Sequence, residues 1–136
     1  MRAVFIMMFT VSLGGMLLLQ STVFAADRLP TCFGVTYDSN HPNHILGANG
    51  DDQIVGTSRN DVIFGMNGND GVLGQEDDDI ICGGNGNDIP LGAGGSHRMD
   101  GSDGDDFLGG GEGDDLCDGG REKDSTNGIC AILILP

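Results

Sequence analysis

The sequence predicts an all-β chain: a right-handed parallel β-roll, a two-sheet β-solenoid, made of nine nonapeptide half-coils with a short cap at each end. Three observations predict it. Glycine recurs every nine residues from Gly47 to Gly119 without an insertion or deletion. An aspartate stands five positions after that glycine in eight of the nine blocks, and a mostly apolar residue stands two positions further on. A chain that was merely rich in glycine and acid would be disordered, and it would not hold phase for 81 residues.

The blocks begin at Gly47, Gly56, Gly65, Gly74, Gly83, Gly92, Gly101, Gly110 and Gly119. Position six is Asp52, Asp61, Asp70, Asp79, Asp88, Asp106, Asp115 and Asp124, with His97 as the exception in block six. Position four is glycine in six blocks: Gly50, Gly68, Gly86, Gly95, Gly104 and Gly113. Position eight runs Ile54, Ile63, Val72, Ile81, Pro90, Met99, Leu108, Cys117 and Thr126. Positions seven to nine therefore alternate out, in, out and predict a three-residue strand with one interior side chain. The other six residues, rich in Gly, Asn and Asp, predict the reversal, because these types tolerate positive φ. Two blocks make one coil with a strand on each side. At roughly 4.8 Å per strand the stack is roughly 20 Å long. Pro90 removes a ladder donor from an interior strand, and the sequence does not say how that strand compensates.

Composition bounds the function. The 136 residues hold 25 Gly, no Trp, one Tyr and six Phe, too little bulk for a conventional core. The net charge of −15, from 21 acidic and six basic residues, excludes nucleic acid as a partner. Residues 1–25 read as a secretory signal: Met1-Arg2, an apolar run from Ala3 to Leu19, and Val23-Phe24-Ala25 before a cut after Ala25. Cleavage leaves no membrane span in the mature chain, removes Arg2 so that the charge passes from −15 to −16, and places the protein outside the cell. Calcium and an oxidising environment are both available there.

The blocks resemble the hemolysin-type calcium-binding repeat, the RTX family, whose consensus is G-G-x-G-x-D-x-U-x. Gly83-Gly84-Asn85-Gly86-Asn87-Asp88-Ile89 follows it through seven positions and departs at Pro90, and the resemblance covers Gly47 to Asn127. It implies calcium between neighbouring turns on each edge of the roll, held by the position-six carboxylates and by turn carbonyls. The chemistry of the residues points the same way, because calcium takes six to eight oxygens and favours carboxylates with carbonyls. The blocks carry 19 acids and four bases, a net of −15. That density opposes compaction until cations arrive, and an interior of one side chain per block is too thin to overcome chain entropy by itself. Metal binding is thus expected to supply much of the folding free energy.

Stacking puts blocks one, three, five, seven and nine on one edge, hereafter the odd edge, and the other four on the even edge. Four sites on the first and three on the second make an upper limit of about seven calcium ions. The edges are unequal. Gly50 with Asp52, Gly68 with Asp70, Gly86 with Asp88, and Gly104 with Asp106 keep both key residues, whereas block nine has Glu122 at position four. On the even edge Arg59 and Asp77 replace glycine, His97 replaces the ligand aspartate, and only Gly113 with Asp115 is intact. A bulky residue at positive φ is disfavoured, and an imidazole is a poor ligand for a hard cation. Three strong sites on the odd edge and weaker ones on the even edge are expected.

Residues 26–46 form an N-terminal cap segment, 47–127 the roll, and 128–136 a C-terminal cap or tail. Val55, Val62, Phe64, Leu73, Ile80, Ile89 and Leu91 point outward and call for a cover, either the N-terminal segment or a surface or protein partner. Four cysteines in an exported chain allow three connectivities. Cys82 and Cys117 lie two coils apart, beyond the reach of a relaxed bridge, and Cys117 is only 13 residues from Cys130, which suits a terminal staple, so Cys32–Cys82 and Cys117–Cys130 are the favoured pairs. No catalytic constellation is present. His41-Pro42-Asn43-His44 lacks the glutamate of a zinc-protease helix, Ser96 sits in no nucleophile elbow, and the phase of Asp77-Asp78-Asp79 assigns them to a turn. The expectation is a calcium-binding protein without catalysis. The competing reading is a calcium-stabilised structural or adhesive surface protein whose apolar faces bind a partner.

Overall fold

A computed structural model describes residues 30–127 and 130–132; the segment expected to be a leader, with the expected cut after Ala25, and most of the C-terminal tail lie outside the described residues. Every regular element is a strand, and no helix among the described residues is long and apolar enough to cross a membrane. A short antiparallel hairpin, β1 (Thr31–Cys32) and β2 (Val35–Thr36), comes first. The nine-residue period then deals successive strands to two parallel sheets in alternation.

The six-stranded sheet holds β3 (His44–Leu46), β5 (Val62–Asn67), β7 (Ile80–Asn85), β9 (Arg98–Asp103), β11 (Leu116–Asp118) and β13 (Ala131–Ile132). The five-stranded sheet holds β4 (Gln53–Val55), β6 (Gly71–Glu76), β8 (Ile89–Gly94), β10 (Phe107–Glu112) and β12 (Ser125–Thr126). Neighbours inside the repeat are in register two blocks apart, as Ile63 with Ile81 and Ile81 with Met99 show. This is the parallel two-sheet roll that the period predicts.

The interior is the position-eight stripe. Ile54, Ile63, Val72, Ile81, Met99, Leu108 and Cys117 form one buried cluster, with Ile45 and Cys130 packed against it. Ile45 belongs to β3 and lies opposite Ile63. The stack therefore begins one half-coil before Gly47, in a segment that lacks the glycine and aspartate signature.

The strands are longer than the alternation predicts. Interior strands run six residues, through positions seven to nine of one block and one to three of the next. The reason lies at position two. Met66, Gln75, Ala93 and Ser102 take positive φ there, as do Gly84, Gly111 and Gly120. Between β5 and β7 the pairing passes from Phe64–Cys82 to Met66–Gly84, missing position one, and then resumes. The chain thus bends within a strand, and the turn proper shrinks to positions four to six.

Pro90 is accommodated by a local gap. Its ring is buried in the interior and its pairing with Val72 is kept. Toward β10, pairing starts only at Leu91 with Gly109, although the Phe107 N–H still donates to the Asp88 carbonyl at 2.9 Å.

The two outer faces differ. On the six-stranded sheet, Cys32, Phe64 and Cys82 form a second buried cluster against which Phe33, Tyr37, Val62 and Ile80 pack. The Tyr37 ring meets Phe64 edge-on at 5.9 Å, and the Arg98 guanidinium lies 4.5 Å over Phe33. The N-terminal segment thus covers a face, in addition to supplying the end strand β3. Cys32 is joined to Cys82, and Cys117 to Cys130, as the spacing predicts. On the five-stranded sheet Val55, Leu73, Ile89, Leu91 and Phe107 remain exposed.

Candidate metal sites along the two edges

Each edge is a column of position-six side chains, and the reversal at positions four to six brings them together. Glycine at position four lets the coils inside the stack approach closely: a Cβ on Gly86 would collide with the carbonyl of Gly68 one coil back, whereas one on Gly50 in the first block would meet nothing. Asp77 and Glu122 nevertheless take positive φ at this position, whereas Arg59 does not. The even edge therefore opens on a turn of a different shape.

Within each column the carboxylate reaches back one coil. On the odd edge the N–H groups of Asp52, Asp70 and Asp88 donate to Oδ1 of Asp70, Asp88 and Asp106 at 2.8, 2.8 and 2.7 Å. The Asp106 N–H donates to Asp124 Oδ1 at 3.1 Å. On the even edge the Asp61 N–H donates to Asp79 Oδ1 at 2.8 Å, and the His97 N–H to Asp115 Oδ1 at 2.9 Å. Between them the Asp79 N–H donates to His97 Nδ1 at 3.3 Å, so the imidazole occupies the carboxylate's place in the ladder.

These bonds use one oxygen of each carboxylate. The other, Oδ2 of Asp70, Asp79, Asp88, Asp106 and Asp115, is buried with no hydrogen-bond partner. Five such atoms in a stack of this size are anomalous, because an unpaired buried oxygen costs about 1–3 kcal/mol and more when charged. The first two blocks avoid the problem: Asp52 Oδ2 accepts the Ala48 N–H at 2.6 Å, and Asp61 Oδ2 accepts the Thr57 N–H at 2.5 Å and the Thr57 hydroxyl at 3.0 Å.

The unpaired oxygens have oxygen neighbours. Asp70 Oδ2 and the Gly83 carbonyl oxygen both crowd the point where a Cβ on Gly65 would stand. Asp106 Oδ2 and the Gly119 carbonyl do the same beside Gly101, and Asp79 Oδ2 and the Gly92 carbonyl beside Gly74. Position one is glycine because a side chain there would fill this cradle. The donors are all oxygen, which suits a hard cation such as calcium. Among the described residues no three histidine, cysteine or acidic side chains converge on one point, so backbone carbonyls must make up much of any coordination shell.

Electrostatics agree. Burial pushes the carboxyls of Asp79, Asp88 and Asp106 up to about 6, against the hydrogen bond each receives from the preceding coil and with neighbouring carboxylates adding to the rise. Burial raises Asp70 as well. Without a cation these groups resist ionisation.

The sequence matches the RTX calcium-binding nonapeptide repeat over residues 46–81, 55–90 and 91–125. The chain belongs to that family. RTX repeats bind calcium, and the family and fold are those of calcium-binding repeat proteins. No curated protein and no solved structure gives a significant match. Of the residues singled out for the RTX site, the position-six side chains and Gly50, Gly68, Gly86, Gly104 and Gly113 all fall on the two edges of the roll.

Two outer rows on the odd edge do not show in the consensus. At position three the Asn67 amide donates to Asn49 Oδ1 at 2.5 Å and the Asn85 amide to Asn67 Oδ1 at 2.6 Å. At position five the N–H groups of Asn69, Asn87, Asp105 and Lys123 each donate to the side chain one coil back. The signal was the recurrence of Asn at both positions in odd blocks.

Proposed function

We propose that this chain is an extracellular calcium-binding protein without catalytic activity, whose RTX roll folds when calcium binds. Export through residues 1–25 fits the pairing of all four cysteines, because disulfides persist in oxidising compartments. Asp52, Asp61, Asp70, Asp79, Asp88, Asp106, Asp115 and Asp124 are the carboxylate ligands in this reading, completed by turn carbonyls, for at most about seven ions. The observation that carries it is the set of five buried, unpartnered Oδ2 atoms aligned on the two edges. Only that of Asp79 has a basic neighbour, His97 Nδ1 at 3.5 Å; a cation would satisfy the others, and the adjacent glycine carbonyls supply further ligands for one. Bound calcium stabilises the folded chain by linkage, since the cradles exist only in the stacked form.

Circular dichroism in chelator and in millimolar calcium is the test. The reading expects β structure to appear with calcium, with magnesium a poor substitute because it demands tight octahedral geometry. Identical spectra of a folded β protein in both solutions would refute it.

A further inference from the structure

The uncovered face of the five-stranded sheet is an interaction surface, and we propose that its occupant is a cationic amphipathic helix of a partner protein. Val55, Leu73 and Leu91 stand in register on β4, β6 and β8, with Ile89 and Phe107 beside them on β8 and β10. Val55 is 61% exposed, Ile89 49% and Phe107 41%, while the equivalent residues Phe64 and Cys82 of the other sheet are closed over by the N-terminal hairpin. Among the described residues the fold thus covers one apolar face with its own chain and leaves the other bare.

Size argues against a second copy as the cover. Five strands at roughly 4.8 Å, of which only β6, β8 and β10 run six residues at roughly 3.3 Å, make a face at most about 20 Å square. That is on the order of 400 Å², half of the roughly 800 Å² each partner contributes to a standard interface. Two copies would also bring their acidic edges side by side. A helix of about 13 residues spans 20 Å, and its 5.4 Å pitch lies close to the strand spacing of roughly 4.8 Å, so successive turns can seat one apolar side chain per strand.

Charge selects the helix. The face is flanked by exposed acids that the position-six columns do not use: Asp51 and Asp105 on the odd edge, and Glu76, Asp78, Glu112 and Asp114 on the even edge. Calcium seated on the buried column would not draw on these outer carboxylates. The basic residues of the two edges, Arg59, Arg121 and Lys123, sit toward the ends of the stack. A helix with a leucine stripe between two rows of lysine or arginine complements an apolar stripe between two rows of carboxylate.

The test uses the calcium-loaded chain and a labelled 14-residue leucine/lysine amphipathic peptide, read by fluorescence anisotropy. A leucine/glutamate peptide of the same pattern and a scrambled leucine/lysine peptide are the controls. The triple variant Val55→Thr, Leu73→Thr, Leu91→Thr keeps β-forming residues at outward positions. Circular dichroism on the same samples reports calcium-dependent folding separately, so failure of this proposal is distinguishable from failure of the calcium reading. The expected result is binding of the leucine/lysine helix alone, weakened at least about tenfold, or ~1.4 kcal/mol, by the triple substitution. Equal binding to wild type and triple variant would overturn the proposal, as would equal binding of the acidic peptide or the scrambled one. Sedimentation showing a wild-type dimer that the same substitutions dissolve would overturn it in favour of a second copy.

Discussion

The odd edge repeats one turn with few changes, whereas the even edge is assembled from four different turns. Position six is aspartate five times running on the odd edge, and every link of its ladder ends on a carboxylate oxygen. On the even edge one link ends on an imidazole, and that ladder still closes. The residue at position six therefore does two separable things. Its near atom accepts a hydrogen bond from the previous coil, which histidine also does, at a longer 3.3 Å. Its far oxygen stands ready for a cation, which histidine does not provide. Stacking tolerates the exchange; calcium chemistry does not.

Asp88→Ala should open the widest gap between the edges. It removes the acceptor for the Asp70 N–H and a far oxygen at the centre of the odd edge. The calcium concentration at half-folding should rise at least about tenfold, equivalent to ~1.4 kcal/mol. In chelator the same substitution should not weaken what structure remains, since it deletes an uncompensated buried acid. A titration followed by circular dichroism measures both.

Acid should come next and act more on the odd edge, which holds Asp88 and Asp106 at about 6 and the raised Asp70, against Asp79 alone on the even edge. These carboxyls bind protons more tightly folded than unfolded. In chelator the roll is therefore favoured below the ordinary carboxylate range near 4 and loses that stability as pH rises toward 6. With calcium the sign inverts, because protons compete with the ion and affinity should fall as pH drops through about 6. Calorimetric titrations at pH 5 and pH 7.5 decide this. Equal affinities would show that these carboxylates do not meet the ion.

The smallest effects test the even edge itself. His97→Asp restores a carboxylate between Asp79 and Asp115 and should add calcium capacity. Asp61→Ala should weaken calcium binding only about two- to threefold, since its far oxygen is already satisfied by Thr57. No gain from the first, together with a loss from the second as large as that of Asp88→Ala, would mean that the stack spreads every effect evenly, as repeat arrays can.

The period of nine was enough to read the roll, its interior stripe, its two edges and both disulfides. What escaped were features whose residues do not advertise their conformation. Met66, Gln75 and Ser102 take positive φ although nothing in their chemistry favours it, so the strands are longer and the turns tighter than glycine placement predicts. Ile45 joins the interior from a half-coil with neither repeat glycine nor repeat aspartate, its phase concealed by His41 and Pro42. That the hairpin covers a face depends on where Cys32, Phe33 and Tyr37 land in space, and spacing along the chain does not encode it. At the site, the satisfied far oxygen of Asp52 was illegible because its partner is a backbone amide, whereas that of Asp61 left one signal, the Thr57 hydroxyl.

The two disulfides give the calcium-free chain a memory of its own shape. Cys32–Cys82 closes a span of 50 residues and Cys117–Cys130 one of 13. On loop-entropy grounds these closures remove about 4 and about 3 kcal/mol of freedom from the unfolded ensemble. If the roll unfolds without calcium, as proposed, blocks one to four would fluctuate as a ring and the C-terminal coil as a smaller one, while the stretch from Gly83 to Leu116, which holds Asp88 and Asp106, belongs to neither. On the proposed reading, a chain emptied of calcium is thus two tied ends with a loose middle, and ordering that middle is where the ion has the most chain freedom to remove.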